Sequence, residues 1–328
     1  LTAEQTLKIV HSIMNDNYKA EFAKTRECQF AICVPNLGRF RVSAFTQRDA
    51  AGMVLRRIES IIPDMETLNL PLVLRDLIMQ KRGLVIFVGA TGTGKSTSLA
   101  SLIKYRNQNS KGHIITIEDP MEYEHPHLGC IITQREVGID TDSYEVALKN
   151  TLRQAPDVIL IGEVRTRETM QHAITFAANN ANQAIDRILH FFPEEMHPQL
   201  FMDLSLNLRG IVAQQLIKRS DGRGRYPAIE IMLNTPLVAD IIRKGEVHRL
   251  KEVMKAGKEQ GMQTFDQALF DLYIAGKISY EDALNSADSR NEVRLAIKLA
   301  AESGNSFASD DSIMALASVD EKETGKFF

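Results

Sequence analysis

Residues 84–97 read LVIFVGATGTGKST, and this stretch decides the fold. The apolar run at 84–88 has the length of a buried strand, and residues 89–96 fit the pattern G-x-x-x-x-G-K-[S/T]. Glycines in such a loop let backbone amides turn inward around phosphates. Lys95 can then reach the β- and γ-phosphates, and Ser96 can give a hydroxyl to Mg²⁺. A helix predicted to follow adds the partial positive charge of its N-terminus. The stretch therefore predicts a nucleotide-binding strand, loop and helix.

Short apolar runs separated by helical stretches continue along the chain after Gly83. The runs lie at 84–88, 114–117, 158–161 and 227–231. Their alternation with helices predicts an α/β fold with a largely parallel sheet. Two amphipathic helices are predicted between the runs, marked by Leu99, Leu102 and Ile103 and by Leu204, Leu208, Ile211 and Val212.

The remaining pattern predicts a smaller domain before this core and helices after it. Thr2 and Gln5 form a capping-box pair that opens a helix, and strand-like pieces follow at 29–34 and 39–45. Beyond about residue 235 the chain has helical periodicity, with Gly276 as a helix C-cap and Ser279 as the next helix start. The predicted divisions are an N-terminal α/β domain at 1–62, a linker at 63–82, an ATPase core with C-terminal helices at 83–301, and a weakly ordered acidic tail at 302–328.

Composition excludes several classes of protein. The 328 residues are 44% hydrophobic and 25% charged, and the net charge of -3 leaves no excess of cations for a nucleic-acid backbone. The three cysteines include no CxxC pair, which argues against a zinc site and fits a reducing compartment. No apolar run has the roughly 20 residues of a membrane span. Because the chain begins with Leu1 rather than Met, we expect further residues before it in the natural protein.

Acidic residues at the ends of two runs are candidates for the metal and for catalysis. Residues 157–163 read DVILIGE, and the extended chain separates the two acids by roughly 20 Å, so only one can lie near the phosphates. The phosphate loop follows its strand, and so does Glu163, whereas Asp157 precedes its strand and is predicted to be structural.

A second group of acids follows the run at 114–117. It consists of Glu118, Asp119 and Glu122. A single acid at this place would be a loop or cap residue, but the carboxyl ends of parallel strands share one edge of a sheet. We therefore expect this group, Glu163 and the phosphate loop to converge, with one acid orienting or deprotonating the attacking water.

Several stretches resemble the type IV pilus retraction ATPases, the PilT/PilU family of the secretion ATPase superfamily. The stretches are GATGTGKSTSLASLI at 89–103, TIEDPMEYEHPH at 116–127, QREVG at 134–138, LRQAPDVILIGEVRTRET at 152–169, LSLNLRGIVAQQL at 204–216, AIEIMLNTP at 228–236 and RFRVSAFTQR at 39–48. The resemblance covers nearly the whole chain. HFFPEE at 190–195 and IIRKGEV at 241–247 favour the PilU branch.

The resemblance implies a RecA-like core with a PAS-like N-terminal domain, assembled as a homohexamer. It implies a cytoplasmic ATPase, peripheral to the inner membrane, that couples ATP hydrolysis with Mg²⁺ to pilus retraction and twitching motility. The implied partners are an inner-membrane platform protein of the pilus and a paralogous retraction ATPase, with no nucleic acid.

The resemblance also assigns roles to individual residues. Glu122 matches the general base, Glu163 matches the Walker B acid that reaches Mg²⁺ directly or through water, and Ser96 and Asp119 are further metal-site candidates. Lys95 is catalytic, and Arg39, Arg41 and Arg48 match arginines that approach the nucleotide; a solvated or paired surface role is equally open for each arginine. The ATP-binding loop comprises Gly89, Ala90, Thr91, Gly92, Thr93, Gly94, Lys95, Ser96 and Thr97.

The chain departs from the family pattern at one place. The family has a histidine-containing strand after the Walker B acid, whereas here Phe176 and Ala177 run directly into Ala178, Asn179 and Asn180. The residue pattern shows the same gap, because the helix predicted at 166–177 meets another helical face with no strand between them. About ten residues, a strand and its turn, are missing from the pattern. We expect the natural protein to contain them.

Three functions remain open from the sequence. The first is a retraction motor. The second is an accessory or regulatory ring subunit that binds nucleotide, hydrolyses it poorly and assists a paralogous ATPase, which the absent histidines favour. The third, a helicase or DNA-transfer ATPase, needs a basic channel that the charge of -3 does not supply. Absence of a four-cysteine zinc insertion favours retraction over pilus assembly.

Overall fold

The computed structural model describes residues 1–35, 37–58, 61–162 and 181–302. The chain forms two compact units. The first unit comprises Leu1–Pro63 and Asn107–Gly162, and the second comprises Asp64–Arg106 and the described part of Glu163–Phe328. The domain boundaries given above stay a prediction, and the tail at 303–328 lies outside the described residues.

The described helices and strands alternate as an α/β fold with a helical C-terminal region, which confirms the predicted fold class. In chain order they are α1 (Ala3–Ser12), α2 (Asp16–Thr25), β1 (Glu27–Val34), β2 (Gly38–Gln47), β3 (Ala50–Arg57), α3 (Val73–Ile78), β4 (Leu84–Val88), α4 (Lys95–Asn109), β5 (Gly112–Glu118), β6 (Cys130–Glu136), α5 (Tyr144–Thr151), β7 (Val158–Ile161), α6 (Ala181–His190), α7 (His197–Asn207), β8 (Leu208–Lys218), β9 (Arg225–Leu233), α8 (Pro236–Arg243), α9 (Leu250–Ala256), α10 (Phe265–Ile274), α11 (Tyr280–Ser286) and α12 (Arg290–Glu302).

The N-terminal part of the first unit is an antiparallel meander, β1-β2-β3, with α1 and α2. The capping box at Thr2 is confirmed, since its side chain accepts from the Gln5 amide and the Gln5 side chain bonds back. The strand predicted at 39–45 is also confirmed as part of β2, on which Val42 and Ala44 are buried in the core beside Phe30. Sequence reasoning did not predict α2 or β3.

The second sheet of the first unit is parallel throughout, in the order β6-β5-β7. β5 and β7 confirm the predicted runs, and β6 was not predicted. Asp157 has the structural role expected of it: its Oδ2 accepts from the His113 amide at 2.8 Å and so ties the start of β7 to the start of β5.

The second unit contains the sheet β4-β8-β9, in which β4 and β8 are parallel and β8 and β9 antiparallel. One prediction is wrong here. Leu208, Ile211 and Val212 were expected to continue a helix from Leu204, but α7 ends at Asn207 and they lie on β8. The three side chains are completely buried, and a continuous apolar run of this length is compatible with either a helix or a central strand.

Residues 63–82 contribute to the core of the second unit. Leu70, Leu74 and Leu77 are buried in one apolar cluster with Phe87 of β4 and Leu102 of α4. The segment predicted as a linker therefore packs as core, with α3 at its centre.

The C-terminal region is helical as predicted, and it packs on β8 and β9 through a second apolar cluster that includes Phe265 and Leu269. Ser279 caps α11, and Gly276 follows α10 with a φ of +65°. Among helices in the described ranges, none has the length and apolar composition that crossing a membrane requires.

The two core sheets are separate in the described residues. There, β4 pairs only with β8, and β7 pairs only with β5. The helix predicted at 166–177 and the junction at 178–180 lie outside the described residues. The missing strand therefore stays a prediction. Its place in the sequence, after Ala177, lies between β7 of one sheet and β8 of the other.

Candidate nucleotide-binding site

The phosphate-binding loop lies between β4 and α4, as the sequence predicts. Gly89 is buried with a φ of +147°, and a Cβ at this position would lie 2.5 Å from the carbonyl oxygen of Gln214. Gly94 has a φ of +86°, and its Cβ would lie 2.9 Å from Nε2 of the same glutamine. Both positions therefore require glycine for backbone conformation and for space.

The loop presents its backbone to a common centre. Nζ of Lys95 donates to the carbonyl oxygens of Gly89 at 2.6 Å and Ala90 at 2.9 Å, so the ammonium group lies within the turn. Ala90 and Thr91 are exposed, and Ser96 and Thr97 occupy the first turn of α4, half-buried. The structure thus brings the predicted residues 89–97 together as one loop and helix start, the arrangement that binds anionic phosphates.

Gln214 on β8 holds this loop, and sequence reasoning missed it. The side chain is 2% exposed. Its Nε2 donates to the Thr93 carbonyl at 2.9 Å, and its Oε1 accepts from Oγ of Ser98 at 2.8 Å. The amide therefore joins the loop to the first turns of α4. A signal was available, since two glutamines interrupt the apolar run at 211–217.

The acidic group lies in the first unit, at the end of β5 and in the loop after it. Glu118 is half-buried, and burial is the largest cause that raises the pKa of its carboxyl group, against hydrogen bonds from Thr116 and Gln134 that lower it. Asp119 and Glu122 are exposed. Glu163 lies outside the described residues, so its convergence with the acids and the phosphate loop stays a prediction.

Two of the predicted arginines are paired with acids of the first unit. Nη2 of Arg39 lies 3.7 Å from Oε2 of Glu136, and Nη2 of Arg41 lies 4.0 Å from Oδ1 of Asp119. Arg48 occupies the turn between β2 and β3, with a φ of +48°. Arg39 and Arg41 thus have acidic partners here, and their approach to nucleotide stays a prediction.

Glu136 is a second residue that sequence reasoning did not single out. It ends β6 and is only 2% exposed. Burial raises the pKa of its carboxyl group, and the positive charges of Arg39 and Arg41 act in the opposite direction. A charged residue inside the stretch QREVG was visible in the sequence, but only the prediction of β6 would have placed it in the interior.

The family model described as type II/IV secretion system protein matches residues 28–268. The chain belongs to this family. It is 64% identical to the type IV pilus ATPase PilU of Pseudomonas aeruginosa over 92% of this chain and 82% of that protein. Identity to the retraction ATPase PilT of the same organism is 39%, over 88% of this chain and 86% of PilT. The predicted resemblance to the PilT/PilU group, with the PilU branch favoured, is confirmed.

A solved structure of the pilus retraction motor PilT with bound ADP shares the secretion ATPase fold. The TM-score is 0.83 at 36% identity, over 88% of this chain and 85% of that chain. A nucleotide is thus part of that relative's structure.

Proposed function

We propose that this protein is a Mg²⁺-dependent ATPase that drives type IV pilus retraction. The observation that carries the proposal is the phosphate loop at 89–97, whose glycines are required by the backbone and by the buried amide of Gln214. Identity of 64% to a type IV pilus ATPase supports the cellular role.

The residues of the site fit ATP and Mg²⁺. Backbone amides of the loop and the ammonium group of Lys95 bind the phosphates, and the start of α4 adds favourable polarity. Mg²⁺ prefers oxygen ligands and keeps several waters and phosphate oxygens, so it needs few protein groups. The hydroxyl of Ser96 and the carboxylates of Asp119 and Glu163 are the candidates for the protein ligands.

Hydrolysis then requires a base for the attacking water. Glu122 is exposed and follows the buried Met121. It takes the proton from water as the water oxygen attacks the γ-phosphorus, while the bond from that phosphorus to the bridging oxygen breaks and ADP leaves. Mg²⁺, when bound, would neutralise charge on the phosphate oxygens. Lys95 stabilises the charge that develops on the transferred group. Arg39 and Arg41, once released from their acidic partners, and Arg48 are candidates for further stabilisation.

Membership of the secretion ATPase family supports a proposal for the assembly. We propose a homohexamer in the cytoplasm, peripheral to the inner membrane, that contacts the platform protein of the pilus and a paralogous retraction ATPase. Sedimentation of the purified chain with and without ATP tests the oligomer. Persistence of a monomer under both conditions would contradict a ring.

Steady-state ATP hydrolysis tests the enzymatic part. Lys95→Ala should abolish nucleotide-dependent turnover, and Glu122→Gln should lower kcat by about 10²- to 10⁴-fold while nucleotide still binds. Glu124→Gln is the matched control, because Glu124 is an exposed acid of the same loop and should leave kcat within about twofold. The proposal fails if the wild-type chain has no turnover above Lys95→Ala.

A second function, an accessory ring subunit with little hydrolysis of its own, is favoured by one observation. The sequence after Ala177 lacks the histidines that the family carries after the Walker B acid. A piliated host that lacks the native gene distinguishes the two functions. A motor requires Glu122 for twitching, whereas an accessory subunit carrying Glu122→Gln should restore twitching as well as the wild type does.

A further inference from the structure

We propose that Gln134 of β6 is a positioning residue for ATP hydrolysis, because its side chain holds the loop that carries Glu122. The inference rests on the function proposed above. It assigns a task to a side-chain amide that neither binds nucleotide nor transfers a proton. Its test separates a positioning role from ordinary support of the fold.

Gln134 bonds the acidic loop at several points. Its Oε1 accepts from the amide of His125 at 2.6 Å, and its Nε2 donates to the carbonyl of Tyr123 at 2.9 Å. The side chain also makes a hydrogen bond to the carboxylate of Glu118. One half-buried amide therefore connects the residue that begins the loop with the residues that follow Glu122.

The strand register fixes where this amide lies. Gln134 is the direct partner of Thr116 on β5, and Oγ1 of Thr116 donates to Oε1 of Glu118 at 2.7 Å. Two side chains on adjacent parallel strands thus orient the same carboxylate. Because β5 is central in its sheet and its isoleucines at 114 and 115 are completely buried, this platform is rigid.

The effect on Glu122 is geometric. Met121 is 4% exposed and anchors the chain before Glu122, while Gln134 fixes the carbonyl of Tyr123 immediately after it. The exposed carboxylate is thereby held between two fixed neighbours. Misplacement of a catalytic group by about 1 Å can cost roughly a hundredfold in rate, so loss of one anchor should reduce kcat without a matching change in nucleotide affinity.

A different side chain holds the far half of the same loop. Asn107 is 1% exposed; its Nδ2 donates to the Pro126 carbonyl, and its Oδ1 accepts from the amides of Leu128 and Cys130. The bonds of Asn107 reach residues 126–130, whereas those of Gln134 reach Tyr123 and His125. Gln134 is therefore the side-chain amide that bonds the half of the loop carrying Glu122.

The test measures ATP turnover and the number of ATP-binding sites for Gln134→Ala and Gln134→Glu. Gln134→Glu keeps an acceptor for the His125 amide but loses the donor to Tyr123 and Glu118. Both variants should lower kcat by roughly tenfold to a hundredfold, with KM for ATP within about twofold. The control is Gln263→Ala, which removes one side-chain bond to the Ile229 carbonyl and should leave both constants within about twofold.

Turnover per bound nucleotide supplies a readout that simple destabilisation does not move. Unfolding removes nucleotide binding and turnover together, whereas displacement of Glu122 lowers kcat in molecules whose phosphate loop still binds ATP. An unchanged kcat, a loss equal to that of Gln263→Ala, or a loss of turnover matched by an equal loss of nucleotide-binding sites would each overturn the proposal.

Hydrogen exchange keeps the inference testable apart from activity. Amides at 119–125 should exchange faster in Gln134→Ala, while those of β4 and α4 keep their wild-type rates. Absence of ATP turnover in the wild type would refute the proposed ATPase function but not the positioning of the loop by Gln134. Equal protection of the loop in wild type and Gln134→Ala would refute the positioning role whether or not the chain hydrolyses ATP.

Discussion

Glu230 is a buried acid whose contribution to the stability of the fold is expected to fall as pH rises. The side chain lies on β9 and is 3% exposed. Its Oε1 accepts from the amide of Ala181 at 2.7 Å and its Oε2 from that of Phe265 at 3.2 Å, at the starts of α6 and α10. Burial raises the pKa of the carboxyl group to about 7, because it outweighs the two amide bonds.

The sign follows from the protons bound in each state. The ordinary pKa of the group is 4.5, so between pH 4.5 and about 7 the folded state holds a proton that the unfolded state releases. The contribution is fully present below 4.5 and is lost as pH rises through the folded pKa. At about 1.4 kcal/mol for each pH unit, this interval corresponds to roughly 3 kcal/mol.

Denaturant unfolding of wild type and Glu230→Gln at several values between about pH 5 and pH 8 measures the effect. Glu230→Gln cannot ionise, so the difference in unfolding free energy, wild type minus variant, should fall by up to about 3 kcal/mol across that range. Glu145→Gln, on an exposed position of α5, controls for removal of a carboxylate. Parallel curves for wild type and Glu230→Gln would refute the reasoning.

Three further substitutions test the site. Gly89→Ala should weaken ATP binding at least tenfold, because its Cβ would lie 2.5 Å from the Gln214 carbonyl oxygen. Titration with a fluorescent nucleotide measures the affinity, and a wild-type value would contradict the need for glycine at this position. Gln214→Ala should lower the unfolding free energy by about 1–3 kcal/mol and reduce the rise in Tm that ATP gives, since it leaves the Thr93 carbonyl without its side-chain donor. Arg39→Ala should cost about 1–3 kcal/mol in denaturant unfolding by leaving Glu136 unpaired, and adding Glu136→Gln should recover most of the loss; additive losses would argue against the pair.

The phosphate loop could be predicted because its chemistry is local. Gly89, Gly94 and Lys95 act through the conformation of neighbouring backbone, and the apolar run of β4 directly before them fixes their place in a sheet. The apolar runs that form β5, β7 and β9 could be predicted for the same reason. Short apolar stretches with polar ends report a buried strand without reference to any partner.

Segment 63–82, predicted as a linker, is a different case, because its side chains pack in an apolar core cluster. Pro63 and Pro71 suggested a connector, and the apolar residues between them are too few to define a period. Leu70, Leu74 and Leu77 are nevertheless buried against β4 and α4. Only the packing against β4 and α4 shows that this short segment with turn residues belongs to the core. The sequence alone therefore could not distinguish a linker from a core segment.

The failure to predict β6 and β8 and the failure to predict the site residues on them have one physical cause. β6 reads CIITQRE and β8 reads LRGIVAQQLIK, and both place polar side chains where a strand identified by its apolar run should have none. Those side chains are Gln134 and Glu136 on β6 and Gln214 on β8, and the two glutamines bond the backbone of the acidic loop and of the phosphate loop. A buried polar group needs a partner, and at the carboxyl end of a parallel strand the nearest partner is the loop that carries the chemistry. The buried polar side chains that interrupt the apolar pattern of β6 and β8, and so prevented their prediction, therefore also indicate which strands bond the loops of the site.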